Sequence, residues 1–149
     1  MFKHDILFVA DEVVTAFGRL GHWFASWDEF GVQPDIICTA KGLSSGYIPI
    51  GAVIFSDRIW AAMATGGHRW FTTGLTYSGH PVAAAVALEA QKIYDETDLF
   101  GHAKRMSPIF TRHIQSFADH PLVGEAMSVG MMGAIEIVAT GLTIVNKAD

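Results

Sequence analysis

The chain has a single cysteine, Cys38, set inside an apolar run. No internal disulfide can form, and a reducing cytoplasmic location fits. Basic residues are scarce: 10 Lys and Arg against 15 Asp and Glu leave a formal charge of −5. They are also scattered, as at Lys104 and Arg105, rather than gathered into a stripe. A dedicated nucleic-acid binder, ordinarily basic, is thereby excluded as a reading. Apolar runs are short, well under the roughly 18 residues of a membrane span, so no membrane partner is expected. The opening "MFKHDILFVADEV" is interrupted by acids and lacks the long apolar core and cleavage site of a signal peptide, so a buried first strand is expected instead. Metal motifs are missing as well. Seven histidines form neither an H-E-x-x-H pair nor a Cys/His cluster, and metal ligands are expected to be none.

What is present is an apolar, glycine-punctuated chain of 149 residues, the size of one ordinary domain. Half the residues are apolar and 17% are charged, enough to bury a sizeable core. The run Ile6 to Ala10 and the run Asp35 to Thr39 suit short strands buried on both faces, as in parallel sheets. A third strand is expected from Ile50 to Phe55, and the short loop before it favours antiparallel pairing with the second. The aromatic segment from Gly18 to Gly31 reads as a loop with one short helix. "DRIWAAMAT" reads as a helix capped by Ser56 or Asp57, followed by a loop from Gly66 to Gly79. Pro81 opens the strongest helical stretch, "PVAAAVALEAQKIYDE". A second, from Leu99 to Phe117, contains Pro108, which is expected to kink or divide it. Strand patterning returns in "HPLVGEAMSVGMMGAIEIVA". The whole reads as part of an α/β layer, mostly a parallel sheet with flanking helices. Both ends resemble cuts through a larger protein, so an incomplete domain is expected.

Two chemistries compete in "PDIICTAKGLSSGY". Gly42-Leu43-Ser44-Ser45-Gly46 matches the G-x-S-x-G of serine hydrolases, whose serine needs a strand before it and a helix after it. Here "YIPIGAVIF" follows and reads as a strand, which weakens that reading; His68 and His80 occupy no telling positions as bases. A P-loop is also a poor match, because Lys41 precedes Gly42 instead of following the last glycine. The alternative takes Lys41 with Asp11. Each follows a strand candidate, and open α/β sheets collect their chemistry at the carboxyl ends of strands. An amine and a carboxylate emerging on one edge suit a lysine Schiff base with an acid against a pyridinium nitrogen, the pattern of pyridoxal phosphate enzymes. On spacing alone, a plain salt bridge at a strand edge is the commoner meaning of such a pair.

"DEVVTAFGRLGHWF", "PDIICTAKGLSSGYIPIGAV" and "TYSGHPVAAAVALEA" resemble successive blocks of class III aminotransferases, most of all the ω-amino acid (amine):pyruvate branch. The likeness runs from about Ile6 to Val138 and covers most of the second half of the family's large domain. It implies a fold type I transferase of pyridoxal 5'-phosphate, with residues 1–122 in the cofactor-binding large domain and 123–149 beginning a truncated C-terminal small domain. By the resemblance, Lys41 is the lysine that holds the cofactor and moves the substrate proton, and Asp11 pairs with the pyridine nitrogen. Val13 packs on the ring, and Thr76 bonds the phosphate across a homodimer, joined by the amide of Tyr77 or Ser78. The substrates implied are an amine or ω-amino acid and a keto acid such as pyruvate. The upstream phosphate loop, the stacking aromatic and a downstream carboxylate-binding arginine are absent, and Ala126, Met127 and Ser128 stand where the family usually has Val-Arg-Gly. An aminomutase, an ornithine- or GABA-type aminotransferase, or an inactive remnant serving only as a binding protein are the alternatives.

Overall fold

In the computed structural model, residues 4–65 and 73–139 are described. The first part of the expected loop, residues 66–72 with His68, and the tail at 140–149 lie outside them. Three short strands form one sheet in the order β1 (Val9–Asp11), β2 (Ile36–Thr39), β3 (Ala52–Phe55). β1 and β2 run parallel, with Val9 opposite Ile36 and Asp11 opposite Cys38. β2 and β3 run antiparallel, Thr39 opposite Ala52, as the short connection between them requires.

The expected burial of the first strand on both faces does not hold, since Val9 is 51% exposed. β2 is half-buried from Ile36 to Cys38 and buried at Thr39, and on β3 Val53 is 60% exposed. Among the described residues the sheet ends at β1 on one side and β3 on the other. The first strand also starts later than its apolar run. Ile6 and Leu7 stay exposed, while the Phe8 amide donates to the Asp35 carboxylate at 2.9 Å, and regular pairing begins only at Val9.

The core lies beside the sheet. The loop after β1 contains one short helix, α1 (Ala25–Asp28), and turns its aromatic residues inward. Phe17 meets Trp23 and Phe24 edge-on at 6.1 and 5.7 Å between ring centres, and Trp23 meets Phe100 at 4.7 Å. Such edge-to-face pairs add to the area they bury. Helix α2 (Asp57–Ala64) follows β3 with Ser56 at its N-cap, although the Ser56 hydroxyl finds no hydrogen-bond partner. Helix α3 (Pro81–Glu96) begins at the proline, with the His80 ring nitrogen Nδ1 accepting the Ala83 amide at 3.4 Å. It buries Ala83, Ala87, Ala90 and Tyr94, one stripe at helical spacing, with Ala90 and Tyr94 packed in the aromatic cluster. Its methyl-sized contacts let the helix backbone come close.

Helix α4 (Leu99–Gln115) runs through Pro108 undivided, so the expected division does not occur. A proline costs a helix one backbone hydrogen bond, and here β4 (Val123–Val129) and β5 (Met132–Ile137) pack along α4 and hold it. Ser128 donates to the Thr111 hydroxyl at 2.9 Å across that interface. The hairpin turns at Gly130 and Met131 and docks on the loop after β1, where the Met131 amide donates to the Arg19 carbonyl at 2.9 Å. Gly130 has φ of +55°, and a Cβ there would stand 2.6 Å from the Leu20 Cα.

Glu12 ties the same loop down from within. Only 2% exposed, its carboxylate accepts the Thr15 hydroxyl at 2.6 Å and the amides of Ser26 at 2.6 Å and Ala25 at 3.0 Å. Burial pushes the carboxyl pKa up, but these donors outweigh it and hold the group below its ordinary value.

Two expectations follow. The folded Glu12 holds its proton less tightly than the unfolded one, so its stabilisation is full above the ordinary glutamate range and is lost as pH falls through the lower folded value. Replacing Glu12 by Gln leaves a buried amide facing backbone donors; denaturation at neutral pH is expected to show a loss of about 2 kcal/mol, and the acid-side slope of stability against pH flattens. An unchanged slope would show that Glu12 contributes none of it. Gly130→Ala places a side chain in left-handed backbone, at a cost of about 1–2 kcal/mol, and pushes the hairpin off Leu20; a denaturant midpoint equal to the parent's would contradict the docking.

Candidate active site

Parallel pairing makes β1 and β2 end at the same edge of the sheet, and the residues that follow them share that edge. Asp11 closes β1, and Lys41 follows β2 by two positions. The pairing continues past the strands, because the Glu12 amide donates to the Cys38 carbonyl at 2.8 Å. Thr39, buried, adds a 3.5 Å contact from its hydroxyl to the Glu12 carbonyl. Asp11 and Lys41 are therefore carried by one hydrogen-bonded platform.

Lys41 opens a single 3-10 turn, Lys41–Leu43, with φ of +36°. A non-glycine residue in that region is strained and persists only where its surroundings hold it. The turn is closed by backbone bonds from the amides of Leu43 to Ala40 at 2.8 Å and of Gly46 to Lys41 at 3.2 Å. Gly42 lies so near Phe17 that a Cβ would come within 2.7 Å of the Phe17 Cβ. From α3, the Tyr94 hydroxyl donates to the Gly42 carbonyl at 2.8 Å.

The Lys41 side chain is exposed and borders an open cleft of about 400 Å³ with Phe17, Arg19, Tyr94, His102 and Met131. Asp11 is exposed too, its Oδ1 accepting the Val13 amide at 3.1 Å. It borders a different hollow of about 270 Å³, shared with Glu12, Ala25 and Ser26. The two groups thus share a sheet edge without sharing a cleft. Val13 is half-buried next to Asp11. Thr76 stands elsewhere, exposed on the turn ahead of α3, a turn closed by the Ser78 amide donating to the Leu75 carbonyl at 2.9 Å. Tyr77 and Ser78 border a third hollow with Ile48 and His80.

The hydrolase alternative fails on two counts, although the strand before the motif is present. A turn and then β3, rather than a helix, follow Gly46. Ser44 is 2% exposed and its hydroxyl donates to the Ile48 carbonyl at 2.9 Å, so it braces the loop and is not presented as a nucleophile. No group of three or more His, Cys, Asp or Glu able to hold a metal occurs among the described residues. No described helix is long and apolar enough to cross a membrane.

Reading the sequence alone passed over Glu12, Phe17 and Tyr94. The signal for Tyr94 was available, since it continues the Ala83, Ala87, Ala90 stripe of α3. Nothing local marks Glu12, whose partners at Ala25 and Ser26 lie across a loop.

The donor set suits pyridoxal phosphate in kind: a primary amine for its aldehyde, a carboxylate for a cationic ring nitrogen, and a glycine whose missing side chain keeps the backbone close. The family model for class III aminotransferases matches residues 2–149. The putrescine–pyruvate aminotransferase of Pseudomonas aeruginosa is 51% identical over 137 residues, which cover 91% of this chain and 29% of that protein. A mitochondrial γ-aminobutyrate transaminase 1 of Oryza sativa subsp. indica is 49% identical over 132 residues, 87% of this chain and 25% of the relative. The solved taurine:2-oxoglutarate aminotransferase of Bifidobacterium kashiwanohense, in complex with pyridoxal phosphate and glutamate, superposes with a TM-score of 0.81 at 39% identity, covering 92% of this chain and 30% of that one. The chain therefore spans under a third of the length of the relatives it matches. By family model, sequence and fold, this chain belongs to the class III aminotransferases, pyridoxal-phosphate-dependent transferases of fold type I.

Proposed function

We propose that the chain carries the lysine–aspartate part of an aminotransferase site, acting on an amine or ω-amino acid donor and a keto acid such as pyruvate. The observation that carries this is the parallel pairing of β1 with β2, which brings Asp11 and Lys41 to one edge. Bound there, pyridoxal phosphate supplies the electron sink for the substrate carbon that loses its proton. Lys41 Nζ would hold the cofactor and would serve as the base that carries a proton from the substrate α-carbon to the cofactor C4′. The Asp11 carboxylate would pair with the ring nitrogen and favour its protonated form. Val13 would offer an apolar side chain to the ring. The Thr76 hydroxyl, with the Tyr77 or Ser78 amide, serves a cofactor phosphate in a second copy of the protein; its place on an exposed turn beside Leu75 and Tyr77, 76% and 81% exposed, supports that assignment.

Residues 1–122 belong in this view to the cofactor-binding large domain, and the hairpin from Val123 begins the small one. A cytoplasmic site of action is consistent with the free thiol of Cys38. A γ-aminobutyrate-type donor stands as a second reading, because relatives of that name match at 47–49% identity, nearly as well as the putrescine enzyme.

Borohydride reduction of the chain with excess pyridoxal phosphate, followed by peptide mapping, is expected to fix the label chiefly on Lys41. Lys41→Ala removes that label, and Asp11→Asn lowers it about tenfold, the worth of one charge-assisted hydrogen bond. Labelling spread evenly over Lys41, Lys92 and Lys104 would defeat the assignment. Because Lys41 and Asp11 are exposed and border separate hollows, the 149-residue chain alone is expected to form almost no alanine from an amine and pyruvate. Robust turnover in that assay would show that the described site is sufficient.

A further inference from the structure

We infer that Tyr94 is a positioning residue for Lys41, acting through the Gly42 carbonyl; the inference rests on the lysine role proposed above. Lys41 stands in left-handed backbone. The peptide units on either side of its Cα carry the Ala40 and Lys41 carbonyls, and the Gly42 carbonyl belongs to the next unit of the turn. The Ala40 carbonyl accepts the Leu43 amide at 2.8 Å. The Lys41 carbonyl accepts the amides of Ser44 at 3.3 Å and Gly46 at 3.2 Å within the turn. Within the turn the Gly42 carbonyl faces the Ser44 amide and accepts the Ser45 amide at 3.4 Å. Among the described residues its short bond from outside the turn is the one from Tyr94, 52 residues away on α3.

Geometry makes that bond a constraint and not an accessory. Tyr94 is 7% exposed, and its ring is wedged in the core with Phe17 and Phe100, leaving the hydroxyl little freedom. Phe17 also lies against Gly42, its Cβ close enough to forbid a side chain there. The lysine turn is thus held both by a hydroxyl on α3 and by Phe17 in the loop that follows Asp11. Removing the hydroxyl alone frees the Gly42 peptide to rotate, and the cost of the Lys41 conformation is no longer met by a bond that needs it. The lysine then relaxes toward an ordinary backbone, and Nζ loses its fixed bearing on the sheet edge. The core keeps its ring, so the fold survives.

The test uses Tyr94→Phe, with Ala87→Gly as a control that weakens α3 without touching Gly42. Two readouts separate positioning from general stability. Amide hydrogen exchange at Leu43, Ser44 and Gly46 is expected to quicken about fivefold in Tyr94→Phe relative to amides in the middle of α3, the effect of one neutral hydrogen bond. Borohydride-fixed pyridoxyl label on Lys41, measured against Lys92 in the same sample, is expected to fall several-fold. Ala87→Gly is expected to lower Tm while leaving both ratios at the parent's values. Unchanged exchange in the turn of Tyr94→Phe, or the same loss in Ala87→Gly, overturns the positioning role. Absence of label on Lys41 in the parent chain defeats the lysine assignment instead, and exchange still decides for or against the tyrosine.

Discussion

The parallel pairing of two very short strands is the constraint on which the rest depends. β1 and β2 align Ala10 with Ile37 and Asp11 with Cys38, and because both point the same way, whatever follows them is delivered to one edge. An antiparallel pair would have sent Asp11 and Lys41 to opposite ends. Strands this short cannot hold themselves together, and three further devices extend the pairing. The Glu12 amide and the Thr39 hydroxyl bond across it, the Glu12 carboxylate anchors the outgoing loop on α1, and Phe17 closes on Gly42. Each ties the chain after β1 to itself, to β2 or to the turn after β2.

A second consequence concerns where the apolar residues go. The core gathers on the aromatic loop and the alanine stripe of α3, not on the sheet, whose Val9 and Val53 remain open. The Lys41 turn lies between these regions, with Leu43 packed against the cluster and Ser44 buried by its bond to Ile48. The lysine backbone is accordingly placed by packing behind it, while its amine stays accessible in front. Rigidity behind and access in front are what a residue that attaches a cofactor needs.

Much of this was legible in the residues. The strand before Lys41, the antiparallel return to β3, the short helix in the aromatic loop and the start of α3 at Pro81 all follow from local patterning and are found. Asp11 and Lys41 stood out because each ends an apolar run. Burial was misjudged, since a run such as "ILFVA" reports that a face can be covered and not that anything described covers it. Pro108 does not divide α4, whose length is supported by the hairpin packed along it. The tyrosine grip on Gly42 joins residues 52 apart, and no local pattern carries such a contact. The family likeness supplied roles for Val13 and Thr76 that the strands alone do not.

The central claim is that Asp11 and Lys41 answer to one ligand because one parallel pair of strands presents both. Titrating the isotope-labelled chain with pyridoxal phosphate and following its amide resonances tests this most directly. Shifts at Asp11 to Val13 and at Lys41 to Gly42 that grow together and saturate at one concentration are the predicted result. Movement at Lys41 without any at Asp11, matching that of the exposed Lys92, would contradict it.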